Sequence, residues 1–298
     1  MAPQTNPELI ADLCRHLLAT VPAAQLHRVT VLFPNRRAGL VFRHTLAQQA
    51  GKALWAPHVD TLSAWMQQLH PAPIAHTLEL LELLWEASGH TEPLASFSPL
   101  GLQLLSDFFD IDAGLADPAS AFALNLPELP AEEVTRTLGS PLAQHYADLL
   151  TQAETLYRHL HGTQSRQGKV SEGGLLRDLG TRPQDFVPEQ LPDQLWLVGF
   201  DGLHAAEAAF LTHLSTLGCL HTAWDVDAWY VQARADGLAP RQAGTTFARL
   251  WRQWPSLRPT NSPPARLAAQ QTQVHVHLLP HVQNQRIALS LTLQAQLE

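Results

Sequence analysis

Cysteine and lysine are almost missing from this chain: among its 298 residues there are two cysteines, Cys14 and Cys219, and two lysines, Lys52 and Lys169. Two cysteines cannot build a disulfide framework, and both stand among apolar neighbours, which reads as buried free thiols. The shortage of lysine excludes more. A phosphate-cradling loop needs Gly, four residues and Gly-Lys-Ser/Thr after a strand, because the backbone nest and the ammonium together hold the phosphates. Lys52 follows Gly51, but Leu46 stands where the first Gly is required and Ala53 where the magnesium ligand is required. A D/E-x-K nuclease motif fails too, since Ala50 and Gln167 lie two residues before the lysines. The G-x-S-x-G, H-E-x-x-H and C-x-x-C patterns are also missing. No stretch approaches the roughly 18 apolar residues of a membrane helix, and the amino terminus does not follow the charged-then-apolar pattern of a secretory signal. The expectation is a cytoplasmic chain with no membrane segment, no bound metal, and neither ATP nor magnesium as cofactor.

Charge of one sign is missing in blocks. From Leu13 to Val59 there is no acid, while Arg15, Arg28, Arg36, Arg37, Arg43 and Lys52 are present. From Ala53 to Thr135 there is no Lys or Arg, and twelve acids appear. After Asp227 seven arginines face only Asp236 and Glu298. A net charge of -8 speaks against a uniformly basic nucleic-acid binder, but the segregation suggests a basic module built from both ends with an acidic insertion between them. The alternative is an ordinary solvated acidic face on the helices.

What is there reads as an α/β chain. Asn6, Pro7 and Glu8 form the cap, first position and acidic first turn of an opening helix. His27 to Phe33 is a β-branched and aromatic strand, followed after Pro34-Asn35 by a helix from about Arg36 to Gln49. Leu54 to Val59 reads as a short second strand, with Thr61 or Ser63 capping the next helix. From Ile74 to about His161 the pattern is helical, with stripes such as Leu78, Leu81, Leu84 and Trp85. Thr163 to Gly174 is polar and Gly-rich and reads as a loop, with a helical turn over Leu175 to Leu179. Leu195 to Tyr230 is a βαβ unit: an apolar run without alternation, a turn on Gly199-Phe200-Asp201-Gly202, a helix, and a second strand from Leu220 to Trp224. A helix around Phe247 to Trp254, a Pro-rich linker, a strand over Val274 to Leu279 and a helix over Asn284 to Leu297 complete the pattern.

Acids and histidines supply the remaining candidates. Asp107, Asp110 and Asp112 lie close together but lack the Gly turn and distal Glu of a calcium loop, so capping and salt bridging are the simpler reading. Asp225 and Asp227 follow a strand, where a magnesium or general-base role is stereochemically open and a turn or cap is the plainer alternative. His275, His277 and His281 include a pair sharing one strand face, without a nearby Cys or acid to complete a zinc site. Arg36 and Arg37 stand at a helix amino terminus, where a phosphate would meet free N–H groups and the positive end of the dipole; in the other reading they are ordinary first-turn side chains in water.

Three stretches together resemble the AddB-like helicase/nuclease family, also described as PD-(D/E)XK nuclease family proteins: VLFPNRRAGLVF (31–42), LLSDFFDIDAGLADPASAFALNLPEL (104–129), and LVGFDGLHAAEAAFLTHL (197–214) with AWDVDAWY (223–230). The resemblance implies a RecA-like, superfamily 1 helicase-like parallel sheet with a large helical insertion. Residues 1–60 would be the first part of that domain, 61–190 the acidic insertion, 191–254 the return to it, 255–273 a linker and 274–298 the start of a second, truncated RecA-like domain. It further implies a place in an AddAB/RecBCD-type complex for DNA double-strand breaks, with single- or double-stranded DNA and an AddA-like helicase-nuclease subunit as partners. Here β-strand 27–33 leads into Pro34-Asn35-Arg36-Arg37 instead of a P-loop, and Val198 stands where a magnesium-holding acid is expected. The nuclease segment typical of the family is not in this chain.

The reading is therefore an ATPase-dead helicase-like module for binding and scaffolding on DNA. Asn35, Arg36, Arg37 and Arg43 are the phosphate candidates. Asp107, Asp110, Asp112, Gly199, Phe200, Asp201, Glu207, Trp224, Asp225 and Asp227 are signature positions without an assigned role. The competing readings are a protein-binding scaffold with no DNA contact and a metal-dependent phosphoesterase built on Asp225 and Asp227.

Overall fold

Five consecutive apolar or β-branched residues, Val29–Phe33 (β1), form the centre of the sheet and are buried on both faces. Their side chains divide by the strand period of two. Val29, Val31 and Phe33 enter one core, shared with helix α1 (Pro7–Thr20) and helix α2 (Arg36–Ala50). Leu32 enters the core on the other face. Strand β3 (Gln194–Val198) repeats the division: Leu195 and Leu197 point to the second core, Val198 and Trp196 to the first. This explains the apolar runs, since both faces of each strand are packed, with only Gln194 and Trp196 partly exposed.

The computed structural model describes residues 6–89, 91, 93–122, 141–189, 191–231 and 245–259, with backbone alone at 141–151 and 228–229. The linker beyond 259, the strand at 274–279 and the helix at 284–297 expected above lie outside the described residues. The sheet has four parallel strands in the order β2-β1-β3-β4, with β2 at His58–Thr61 and β4 at Leu220–Ala223. Helix α1 starts as expected, with the Asn6 side chain accepting from the Glu8 N–H. Its Cys14 is buried, and that burial pushes the thiol up to about 12.

Between β2 and β3 the regular elements among the described residues are helices, apart from an isolated bridge joining Ile74 and Val170. Helix α3 (Leu62–Leu69) packs under the sheet. Helices α4 (Thr77–Ser88), α5 (Leu94–Ala113), α6 (Pro118–Phe122) and α7 (Pro141–Arg166) gather around a separate core of Leu84, Phe97, Leu104, Phe108 and Leu156. Helix α8 (Glu172–Thr181) packs on α5 and puts Leu175, Leu176 and Leu179 into the core under the sheet. Its glycines allow that position: a Cβ on Gly173 would lie 3.0 Å from the Asp112 Cβ, and one on Gly180 would lie 2.8 Å from the Ala206 Cα. Helix α9 (Ala205–Thr216) then links β3 to β4, and after the short helix α10 (Ala228–Val231) comes helix α11 (Thr245–Gln253), whose Phe247 and Trp251 pack on Trp224. Among the described residues no helix is long and apolar enough to cross a membrane.

Four local expectations are corrected. The second strand begins at His58, not Leu54, because Pro57 has no N–H for the ladder and Trp55 is 76% exposed. The polar stretch from Thr163 is helical through Arg166, held by the Arg166 side chain on the Gly162 carbonyl and Thr163 hydroxyl. The turn at 175–179 is part of the ten-residue α8, whose cap is Ser171 on the Gly174 N–H. Leu78 leaves the α4 stripe and is exposed, with Leu80, Leu81 and Leu84 facing inward.

Candidate functional site

The strand order places a topological switch point between β1 and β3. The chain leaves β1 toward β2 on one side and leaves β3 toward β4 on the other, so the two exits diverge and open a crevice at the carboxyl ends of the strands. A cleft of about 420 Å³ lies there, lined by Pro34 after β1, Leu62 and Ser63 at the start of α3, and Phe200 to His204 with Glu207 after β3. Two of the three signature stretches thus meet in space.

Local chemistry builds each wall. Asn35 accepts from the Ala38 N–H at 2.9 Å and caps α2, leaving Arg36 and Arg37 exposed in a first turn that contains no acid. Thr61 caps α3 at the Ala64 N–H. Gly199, with φ of 72°, turns the chain out of β3, a backbone region that side chains other than glycine rarely adopt, and its N–H still donates to the Ala223 carbonyl. Asp201 is exposed in the following bend, and the cap of α9 is His204: the His204 N–H donates to Glu207 Oε2 at 2.8 Å in a reciprocal capping box. The His204 ring stands edge-on to Phe109, 5.5 Å away. Burial pushes the Glu207 carboxyl above its usual range, with the negative charge of Glu172 adding to the effect and the His204 N–H opposing it.

The remaining candidates sit elsewhere. Arg43 is seven residues along α2 from Arg36, roughly 10 Å away at 1.5 Å per residue, and donates to the Val59 carbonyl. Val198 is fully buried in the apolar core shared by α1 and α2. Trp224 is buried and donates from Nε1 to the Leu257 carbonyl at 2.8 Å. Asp225 accepts the Asn6 N–H at 3.1 Å and so sits at the positive end of the α1 dipole. Asp227 gives its carbonyl to the Tyr230 N–H. Among the described residues no three or more His, Cys, Asp or Glu side chains are gathered as a metal ion would need.

The acidic triplet separates completely. Asp107 accepts from Gln103 and Asp110 is exposed, whereas Asp112 is 1% exposed at the end of α5. It accepts from the Tyr157 hydroxyl at 2.5 Å and from Arg177 Nε at 2.6 Å, and His161 Nε2 lies 3.1 Å away. Burial alone would raise the Asp112 carboxyl, but the facing His161, Tyr157 and Arg177 outweigh it and hold it below the ordinary carboxylate range. Burial and that same carboxylate push the Tyr157 hydroxyl upward. Arg177 also reaches the Ile111 and Ala116 carbonyls, closing the end of α5. In the sequence Asp112 is only the last of three nearby acids, and its partners Tyr157, His161 and Arg177 lie 45 to 65 residues further on. No family model matches the chain, and no curated protein matches it.

Proposed function

We propose that this chain is a RecA-like, helicase-like module without ATPase chemistry, which contacts DNA phosphate at the amino terminus of α2 and works beside an AddA-like helicase-nuclease subunit in double-strand-break processing. One observation carries the reading: Arg36 and Arg37 stand exposed at the positive end of α2, with no acid in that turn, beside the crevice at the sheet's switch point. Anions are favoured there by dipole, N–H groups and guanidinium forks together. The resemblance to AddB-like proteins supplies the biological setting. Val198 gives no carboxylate for magnesium on β3, and Pro34-Asn35 gives no phosphate cradle after β1, in keeping with a fold that holds nucleic acid without spending nucleotide.

Binding of a fluorescent single-stranded oligonucleotide, titrated at several salt concentrations, tests the reading. Arg36→Ala with Arg37→Ala is expected to weaken binding and to flatten the log–log salt dependence by about 0.7 per lost phosphate contact. A slope identical to that of the wild type refutes the assignment of these arginines.

A further inference from the structure

Six large hydrophobic side chains stand exposed among the described residues, and three of them, Leu40, Val41 and Trp55, fall within one short stretch. Leu40 is 65% exposed and Trp55 76%. Leu40 and Val41 are on the outer face of α2, and the loop that carries Trp55 lies on the same side of the sheet, because its Leu54 packs onto the core shared by α1 and α2. Arg43, His44 and Lys52 are exposed along the same stretch, and no acid occurs between Leu13 and Val59. Since β2 is an edge strand, this flank is a margin of the sheet.

Singly exposed hydrophobic residues are ordinary. Three on one flank, with charge of one sign among them, have the make-up of a protein interface: a tryptophan and aliphatic anchors for the dry centre, basic side chains for the rim. Leu40 and Val41 offer no hydrogen bond to phosphate, and an aliphatic pair beside an exposed tryptophan suits the dry centre of a protein contact. We infer that the outer face of α2, continued by Trp55, docks an acidic amphipathic helix of a partner protein. Its apolar stripe covers Leu40, Val41 and Trp55, and its carboxylates face Arg43, His44 and Lys52. The surface goes beyond the DNA reading and does not depend on it.

The test uses a fluorescent peptide with Leu at i and i+4 spacing and Glu between, the same peptide with Glu replaced by Gln, and a single-stranded oligonucleotide. The acidic peptide is expected to bind the full chain in the micromolar range and the Gln form at least fivefold more weakly. Trp55→Ala, and Leu40→Ser with Val41→Ser, are each expected to weaken the acidic peptide at least tenfold while oligonucleotide affinity stays within twofold. These side chains are exposed, so unchanged circular dichroism and melting confirm that the variants fold. No peptide binding, or binding equal in wild type and variants, overturns the inference. Loss of the oligonucleotide in place of the peptide also overturns it, and assigns the flank to nucleic acid. Failure of the salt-slope test at Arg36 and Arg37 leaves the peptide result unaffected, so the two readings fail separately.

Discussion

Removing the Asp112 carboxylate tests whether the buried cluster is what fastens the helical layer to the sheet. Asp112 on α5 meets Tyr157 and His161 from α7 and Arg177 from α8, so one side chain joins three helices. Asp112→Ala leaves the Tyr157 hydroxyl and the Arg177 guanidinium without their acceptor. Orphaning one member of a buried ion pair costs about 3–5 kcal/mol. The lower end applies here, because the Arg177 side chain is 23% exposed and keeps two backbone carbonyls. The expected loss is therefore about 3 kcal/mol. Tyr157→Phe removes one charge-assisted bond and leaves Asp112 paired with Arg177, for about 1.5 kcal/mol. Urea unfolding at neutral pH measures both, read as a shift in midpoint at constant slope. A loss below about 1 kcal/mol for Asp112→Ala, or a larger loss for Tyr157→Phe, refutes the cluster as the fastening. The pH dependence has a definite sign. The folded carboxyl lies below its unfolded value of about 3.9, so its contribution is fully present above that pH and fades as pH falls through the lower folded value. The gap between wild type and Asp112→Ala is expected to close below about pH 4.

Glu207 gives the opposite pH signature. Its carboxyl is raised by burial, so the folded state holds the proton more tightly and stability falls as pH rises from about 4.3 through the folded value. Glu207→Gln keeps an oxygen for the His204 N–H and removes the buried charge; it is expected to melt at or above the wild-type temperature at pH 7 and to lose that advantage near pH 4, and a lower melting temperature at both pH values refutes the account. Gly180→Ala drives a Cβ to 2.8 Å from the Ala206 backbone, and separating α8 from α9 is expected to cost about 1–3 kcal/mol in denaturant unfolding; no measurable loss would show that the helices part freely.

The centre of the fold was legible because its signals are local. A short apolar run such as β1 or β3, rich in β-branched and aromatic residues and bounded by Pro34 or Gly199, reads as a strand covered on both faces, and Asn6, Asn35 and Thr61 announce helices by satisfying free N–H groups two or three residues on. The edge was harder. Strand β2 is His58-Val59-Asp60-Thr61, a polar sequence that pairs on one side only, while the more apolar Leu54-Trp55 before it is loop. Helix α8 was hidden for another reason. Gly173-Gly174 has poor intrinsic helix propensity, yet both positions lack side chains because α5 and α7 crowd them, with the Asp112 Cβ at 3.0 Å from a Cβ on Gly173 and the His161 ring at 3.2 Å from one on Gly174. Packing set the composition there, and composition misled the reading of local structure.

The candidate residues separate by a criterion that no linear reading contains, namely whether each charge has been given a partner. Asp107, Asp112 and Asp225 looked alike as acids in suggestive places. In space Asp112 is enclosed by donors 45 and 65 residues away, Asp225 is taken up by the Asn6 N–H 219 residues away, and Asp107 is bonded one turn back to Gln103. Their charges are spent on holding the chain together. Arg43 gives one bond to the fold, from Nη2 to the Val59 carbonyl, while its side chain stays exposed. Arg36 and Arg37 differ, since among the described residues no acid is paired with them, and they sit where the strand order opens the sheet. A guanidinium left in water beside a helix amino terminus gives the fold little stability. What it does offer is a fixed positive site for an anion from outside, which is why the DNA reading rests on these two residues and not on the more numerous acids.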